Sequence, residues 1–228
     1  MEKATDRLEI LIGQEGLARL ADAKVTVVGL GGVGGQAAEA IARSFVGHIT
    51  LIDGDVVNPS NINRQLLATA KNVGSPKALV AADRAKEINP LAEVTAIPSF
   101  LTPESVCIPE IRDADCVIDA IDDLPAKVAL IAECVKSGVP IFSSMGAANR
   151  LDPTAFRVAD ISEAHTCPLA KKVRKALASL GIFKGVTVVY STEKPMSFGG
   201  ALGSVAFVPP AAGLALASAA IGKLLGRR

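Results

Sequence analysis

The chain has 228 residues, with 24 Lys plus Arg against 23 Asp plus Glu, so its formal net charge is +1. That balance excludes a polybasic nucleic-acid binder or an acidic tail and leaves room only for a local basic face. Half of the residues are hydrophobic and 21% are charged, so a sizeable core can be buried and disorder is not expected. Trp is absent and Tyr occurs once, which argues against an aromatic base-stacking platform. The length fits a single domain over residues 1–228.

Four cysteines, at 107, 116, 134 and 167, form no C-x-x-C pair, and with only two histidines a structural zinc site is hard to assemble. The start, MEKATDRLEI, lacks the apolar stretch of a signal peptide, so reduced thiols and a cytoplasmic address are expected. The apolar run Val205–Ile221 is short for a membrane span, which needs roughly 20 residues, and Pro209, Pro210 and Gly213 interrupt it. A core or interface helix is the expected outcome, with no membrane span.

In chain order, residues 6–20 read as a helix, with Leu8, Leu11, Ile12, Leu17 and Leu20 as its apolar positions. Lys24–Gly29 reads as a buried parallel strand, followed by glycine punctuation and a helix through Ala37–Arg43. His48–Asp53 closes a βαβ unit. Asp55–Lys71 is polar and Asn-rich, mixing loop with a short helix, and Pro76 opens a helix running to about Ile88. Strands follow at Val94–Ile97, Cys116–Ala120 and Val139–Ser143, with helices near 103–112 and 124–137. After Met145, strands at Thr154–Ala159 and Val186–Tyr190 flank a basic helix, Pro168–Leu180, and Thr192–Gly203, rich in Gly, Ser and Pro, reads as a mobile loop. The expected fold is α/β and Rossmann-like: a mainly parallel sheet with helices on both faces and a short mixed β/α C-terminal extension.

Gly29-Leu-Gly31-Gly32-Val-Gly34 fits G-x-G-x-x-G between a strand and a helix, and Asp53 follows at the end of the next strand. Such glycines let backbone approach a phosphate at a helix N-terminus, while the carboxylate takes ribose hydroxyls. The motif alone leaves NAD, FAD and ATP open. Asp55, Asn61, Asn63, Arg64 and Lys77 come next; two cations suit a triphosphate and the charge that develops as pyrophosphate leaves, not hydride transfer. Asp119, Asp122 and Asp123 lie at the end of the fourth strand, where an open α/β sheet binds ligands. Asp122 is the candidate Mg²⁺ ligand and Asp123 a helix cap or a supporting group.

In this order, Gly-Leu-Gly-Gly-Val-Gly, Ile-Asp53-Gly-Asp55, Ser60-Asn61-Ile-Asn63-Arg64-Gln65, Gly74-Ser-Pro-Lys77 and Ile-Asp-Ala-Ile-Asp122-Asp123 resemble the ubiquitin-activating-enzyme-like (ThiF/MoeB/HesA) adenylyltransferases. Arg7-Leu-Glu-Ile-Leu-Ile-Gly13, Cys167-Pro-Leu-Ala-Lys-Lys-Val-Arg174 and Leu202-Gly-Ser-Val-Ala-Phe-Val-Pro209 look like the tRNA threonylcarbamoyladenosine dehydratase branch. The resemblance implies ATP-dependent adenylation of the threonylcarbamoyl carboxylate on tRNA. An internal nucleophile then displaces AMP, giving a cyclised, dehydrated product. It further implies that Gly29, Gly31 and Gly32 approach the phosphates, that Asp53 binds ribose, and that Asp55, Asn61, Asn63, Arg64, Lys77, Asp122 and Asp123 complete the ATP site. Asp122 would carry Mg²⁺, and Arg7 would reach the neighbouring subunit's site in a homodimer.

The alternative is an adenylyltransferase for a small ubiquitin-like sulfur carrier, against which the missing C-x-x-C pairs count. Whether a sulfurtransferase or carrier-protein partner takes part is left open by these residues. Cys167, near His165, is the best nucleophile candidate, although an ordinary thiol before a helix is the favoured reading. Lys171, Lys172, Arg174 and Lys175, with Lys184 beyond, form either a solvated face or a contact for tRNA backbone.

Overall fold

The computed structural model describes residues 3–227. Asp6–Asp22 (α1) is helical but broken at Gly13, whose φ of +70° and ψ of 174° are not helical. The expected single helix is thus two joined helical runs, since only glycine adopts such a backbone without strain. Seven strands then follow: Lys24–Val28 (β1), His48–Ile52 (β2), Glu93–Ile97 (β3), Cys116–Asp119 (β4), Ile141–Ser144 (β5), Phe156–Asp160 (β6) and Thr187–Ser191 (β7). The helices between and after them are Gly34–Arg43 (α2), Lys77–Ile88 (α3), Pro109–Arg112 (α4), Leu124–Ser137 (α5), Pro168–Ala178 (α6) and Val208–Leu224 (α7).

The strands form one sheet in the order β3-β2-β1-β4-β5-β7-β6, parallel throughout except for the antiparallel edge pair β6–β7. The C-terminal strands therefore extend the main sheet instead of forming a layer of their own. Alternate strand residues feed two cores. Val25, Val27, Cys116, Ile118, Phe142 and Val189 pack with α2, α3 and α7, while Val117, Ile141, Val188 and Tyr190 pack with α5 and α6. Burial on both faces is why these strands are nearly continuous runs of Val and Ile. Strand order reverses direction between β1 and β4, so the carboxyl ends of those two strands open the crevice typical of ligand sites.

Two details differ from the sequence reading. The helix expected over 103–112 is confined to Pro109–Arg112, because the residue before a proline is driven to extended backbone and Ile108 sits at φ −96°, ψ 154°. The 192–203 loop is anchored. Asn149 accepts from Gly203 N at 2.5 Å and donates to Ala201 O at 3.1 Å, while Met196 N donates to Asn149 O at 2.8 Å. The late apolar run forms α7, which buries Val208, Ala212, Leu216 and Ala220 against the sheet and α2. Among the described residues no helix is long and apolar enough to cross a membrane.

All four cysteines are unpaired. Burial pushes the Cys116 and Cys134 thiols up to about 12, with nearby carboxylates adding to the effect. Both are inert parts of the core.

The sheet's carboxyl edge holds a fully buried ion pair. Lys127 Nζ on α5 donates to Asp119 Oδ2 at 2.6 Å and to Ser144 O at 3.0 Å, and Ser143 Oγ donates to Asp119 Oδ2 at 2.6 Å. Removing one partner strands the other charge in a low-dielectric interior. Lys127→Met should lower unfolding free energy by about 3–5 kcal/mol in a urea titration. Adding Asp119→Asn should recover part of that loss. A double variant as unstable as the sum of the singles would show that the pair is not coupled.

Candidate active site

The glycine turn between β1 and α2 is held against the end of β4. Gly29 has φ +84°, and a Cβ there would lie 2.7 Å from Ala120 O and 3.1 Å from Ile121 N. Only glycine permits this backbone and this approach. The loop that continues into Asp122 therefore abuts the turn directly. Gly32 stands under Arg64: a Cβ on it would meet Pro209 Cβ at 3.0 Å and Arg64 O at 3.3 Å. Gly31 has open space, with the side-chain amide of Gln65 3.7 Å from its would-be Cβ.

Asp53, just past β2, locks the turn from the side. Its Oδ2 accepts from Leu30 N at 2.6 Å and its Oδ1 from Asp55 N at 2.7 Å. A carboxylate has about four acceptor positions, so each oxygen keeps one for a hydroxyl. Lys77 opens α3 directly after Pro76 and is 4% exposed, and its Nζ donates to Asp55 Oδ2 at 2.8 Å. The backbone reinforces the pairing through Lys77 N to Asp55 O at 2.9 Å. A buried ammonium is thus held by an acid whose own side chain is half exposed.

The Asn-rich segment divides its labour. Asn61 is buried at the end of a single helical turn, where its Oδ1 accepts from Asn58 N at 3.0 Å, leaving its amide N–H groups for a ligand. Both ends of the Asn63 amide are engaged: Nδ2 donates to Ser204 O at 3.0 Å and Oδ1 accepts from Arg64 Nη1 at 2.9 Å. Asn63 is a tie between this loop and the segment leading into α7. Arg64 Nη1 also donates to Ser60 O at 2.8 Å, which holds the guanidinium at the loop while its other nitrogens stay available.

Beyond β4, Asp119 Oδ1 accepts from Ile121 N at 3.0 Å and fixes the turn. Asp122 is exposed and makes no hydrogen bond or ion pair among the described residues. Asp123 caps α5, accepting from Ala126 N at 2.9 Å. Of the two acids, Asp122 is the one free to bind something and Asp123 is committed to its helix. Among the described residues no cluster of three or more His, Cys, Asp or Glu could hold a metal ion by itself. One free carboxylate fits Mg²⁺ that arrives with phosphates, since Mg²⁺ takes one or two carboxylates plus phosphate oxygens and water.

Arg7 lies exposed on α1 and contributes nothing to its own chain's glycine turn: it makes no hydrogen bond or ion pair among the described residues. Ile10 and Leu11, one turn on, are 80% and 73% exposed. Cys167 is buried, and His165 is turned from it toward Tyr190, with Nδ1 3.0 Å from Oη. Among the described residues no base hydrogen-bonds to the thiol. Arg174 is folded back to donate to Ala164 O at 2.6 Å, so the solvent-facing cations of α6 are Lys171, Lys172 and Lys175.

Sequence reasoning gave no role to Lys127, Gln65, Ser204 or Arg150. Gln65 Oε1, Ser204 Oγ and Arg150 Nη2 are buried with no hydrogen-bond partner among the described residues, and only three-dimensional placement identifies them. A separate cavity of about 1060 Å³, lined by Ile141, Thr187, Lys184 and Lys223, contains none of the motif residues.

The family model described as "ThiF family" matches residues 5–228. The tRNA threonylcarbamoyladenosine dehydratase of Bacillus subtilis is 49% identical over 190 residues, covering 83% of this chain and 75% of that protein. The crystal structure of the Escherichia coli tRNA N6-threonylcarbamoyladenosine dehydratase TcdA in complex with AMP superposes with a TM-score of 0.91 at 40% identity, covering 96% of this chain and 92% of that one. Its complex with ATP gives a TM-score of 0.89 at 39% identity, with the same coverage. The chain belongs to the ThiF family, in the branch of the tRNA threonylcarbamoyladenosine dehydratases.

Proposed function

We propose that this protein is a single-domain, cytoplasmic, ATP-dependent tRNA threonylcarbamoyladenosine dehydratase. It adenylates the carboxylate of the threonylcarbamoyl group, and an internal nucleophile of that group then displaces AMP. The supporting observation is the crevice between β1 and β4, where a glycine turn, the Asp53 carboxylate, a buried Lys77, Arg64 and Asp122 come together. The relatives' names and their AMP and ATP complexes point the same way.

ATP would lie with its ribose on Asp53 and its phosphates over Gly31 and Gly32, beside the first turn of α2, whose N-terminal amides and dipole favour anions. Lys77, Arg64 and the Asn61 amide would surround the triphosphate and neutralise charge on the departing pyrophosphate. Asp122 would hold Mg²⁺, which would supply positive charge against the triphosphate. A free carboxylate resists nucleophilic attack, whereas an acyl-adenylate carries a good leaving group, so positioning and electrostatics suffice without a covalent enzyme intermediate. The burial of Cys167 away from any base agrees with this.

The chain acts as a homodimer. Arg7 has no duty in its own subunit, and the exposed Ile10 and Leu11 beside it offer apolar surface for a second copy to cover. Lys171, Lys172 and Lys175 would contact the tRNA backbone near the site.

ATP–pyrophosphate exchange should depend on tRNA carrying threonylcarbamoyladenosine and be absent with unmodified tRNA. Arg64→Ala should reduce exchange by about 100-fold or more. Exchange driven instead by a small carrier protein would overturn the tRNA reading and leave the nucleotide site intact. Arg7→Ala and Arg64→Ala subunits, each inactive alone, should regain activity when mixed, because one composite site is then intact. Failure to complement after verified subunit exchange would place Arg7 outside the neighbouring site.

A further inference from the structure

Among the described residues three cations are almost fully buried: Lys77, Lys127 and Arg150, at 4%, 0% and 3% exposure. Lys77 has Asp55 and Lys127 has Asp119. Arg150 has no carboxylate within ion-pair distance among the described residues. Its Nε donates to Glu193 O at 3.1 Å and its Nη1 to Ala148 O at 3.0 Å, and Nη2 has no acceptor. Buried charges are otherwise paired, because an uncompensated ion in a low-dielectric interior is strongly unfavourable. A buried guanidinium with an empty N–H face implies an anion that the protein does not itself supply.

Gly146 and the start of α6 lie beside that guanidinium. The point where a Gly146 Cβ would stand is 3.5 Å from Arg150 Nη1, 3.5 Å from Cys167 Sγ and 3.8 Å from Leu169 Cβ. Gly146 therefore faces both the guanidinium and the start of α6. That 11-residue helix begins without a side-chain cap: Cys167 occupies the N-cap position, and although its backbone carbonyl accepts from Lys171 N at 3.1 Å, its thiol makes no cap hydrogen bond. Pro168 has no N–H, and the N–H groups of Leu169 and Ala170 have no acceptor among the described residues. Uncapped amides and the helix dipole add to the attraction for an anion.

Its place in the fold limits the ligand. Gly146 lies two residues past Ser144, whose carbonyl is held by Lys127, so Gly146 and Asp122 follow the carboxyl ends of adjacent strands. At 3% exposure the guanidinium is too deep for a nucleic-acid backbone phosphate, so the anion would have to be carried on a slender substituent. We propose that Arg150, Gly146 and the first turn of α6 form an oxyanion subsite. It receives the carboxylate of the substrate's threonylcarbamoyl group before activation and holds it at the edge of the ATP crevice. This rests on the tRNA reading above and extends it to the acceptor. Nothing is transferred at this subsite; it orients the carboxylate and holds its charge.

The test is binding to the full-length protein saturated with α,β-methylene ATP, which blocks transfer of AMP. Three anticodon stem–loops serve as probes: one carrying threonylcarbamoyladenosine, one with its carboxylate as the methyl ester, and one unmodified. Wild type should bind the acid about 10- to 100-fold more tightly than the ester, the range for hydrogen bonds to a charged group. Arg150→Gln should erase that difference and leave affinity for the ester and for the ATP analogue unchanged. Gly146→Ala, which the fold accommodates at ordinary contact distance, should weaken the acid selectively by crowding it.

A folded Arg150→Gln and a folded Gly146→Ala that both still prefer the acid as wild type does would overturn the subsite and leave the tRNA reading standing. Equal weakening of all three RNAs, with a smaller salt dependence, would assign Arg150 to an RNA phosphate and overturn the carboxylate proposal. Wild type that fails to distinguish modified from unmodified RNA would refute the tRNA reading itself.

Discussion

The buried pair between Asp119 and Lys127 organises the whole carboxyl edge of the sheet. Asp119 spends one oxygen on Lys127 and Ser143 and the other on Ile121 N, which sets the course of the loop into Asp122. Lys127 spends its remaining protons on β5, at Ser143 Oγ and Ser144 O, which sets the start of the segment leading to Gly146 and Arg150. One ion pair thus aligns the strand end that meets the glycine turn and the strand end that meets α6. An ion pair in such a place is poor evidence of stability, since apolar side chains can be equally stable there. It fixes geometry: with six hydrogen-bonding groups satisfied at once, the ends of β4 and β5 have one arrangement.

Around that fixed edge the site is built from charge and backbone. Lys77 is buried against Asp55, Arg64 is tethered by Ser60 and Asn63, and the glycine turn brings amides where a side chain would block them. Groups held in this way need little reorganisation when a phosphate arrives, which is the condition under which electrostatic stabilisation works best. The thiols contribute nothing comparable. Cys116 and Cys134 belong to the core, and Cys167 has no base beside it. The chemistry asked of the protein, moving AMP onto a carboxylate and off again, matches that inventory.

Much of this was legible in the sequence because local rules and global fold agree. Strand, glycine turn, helix and acid follow one another within 30 residues, from Lys24 to Asp53, and each obeys its own propensity. The cap role open to Asp123 follows from its place before Leu124-Pro125, and the structure realises it. Elements went astray where a single residue changed the backbone: Pro109 cut a helix short, and Gly13 split one. What stayed hidden depends on contacts between distant segments. Lys127 reads as an ordinary surface lysine of an amphipathic helix until β4 and β5 close over it. Asn63 reads as a ligand until the segment at Ser204 takes its amide. Arg150 gives no signal at all, since an unpaired buried charge is defined only by what is missing around it in space.

Attack of the substrate carboxylate on the α-phosphorus of ATP is the central claim, and isotope transfer tests it most directly. The threonylcarbamoyl carboxylate of the tRNA would be labelled with heavy oxygen, and the released AMP and pyrophosphate analysed by mass spectrometry after a single turnover. If the carboxylate attacks that phosphorus and the internal nucleophile then expels AMP, one labelled oxygen must leave in AMP, matching the net loss of water from the substrate. Cyclised product accompanied by unlabelled AMP, or by label in pyrophosphate, would contradict activation by adenylation.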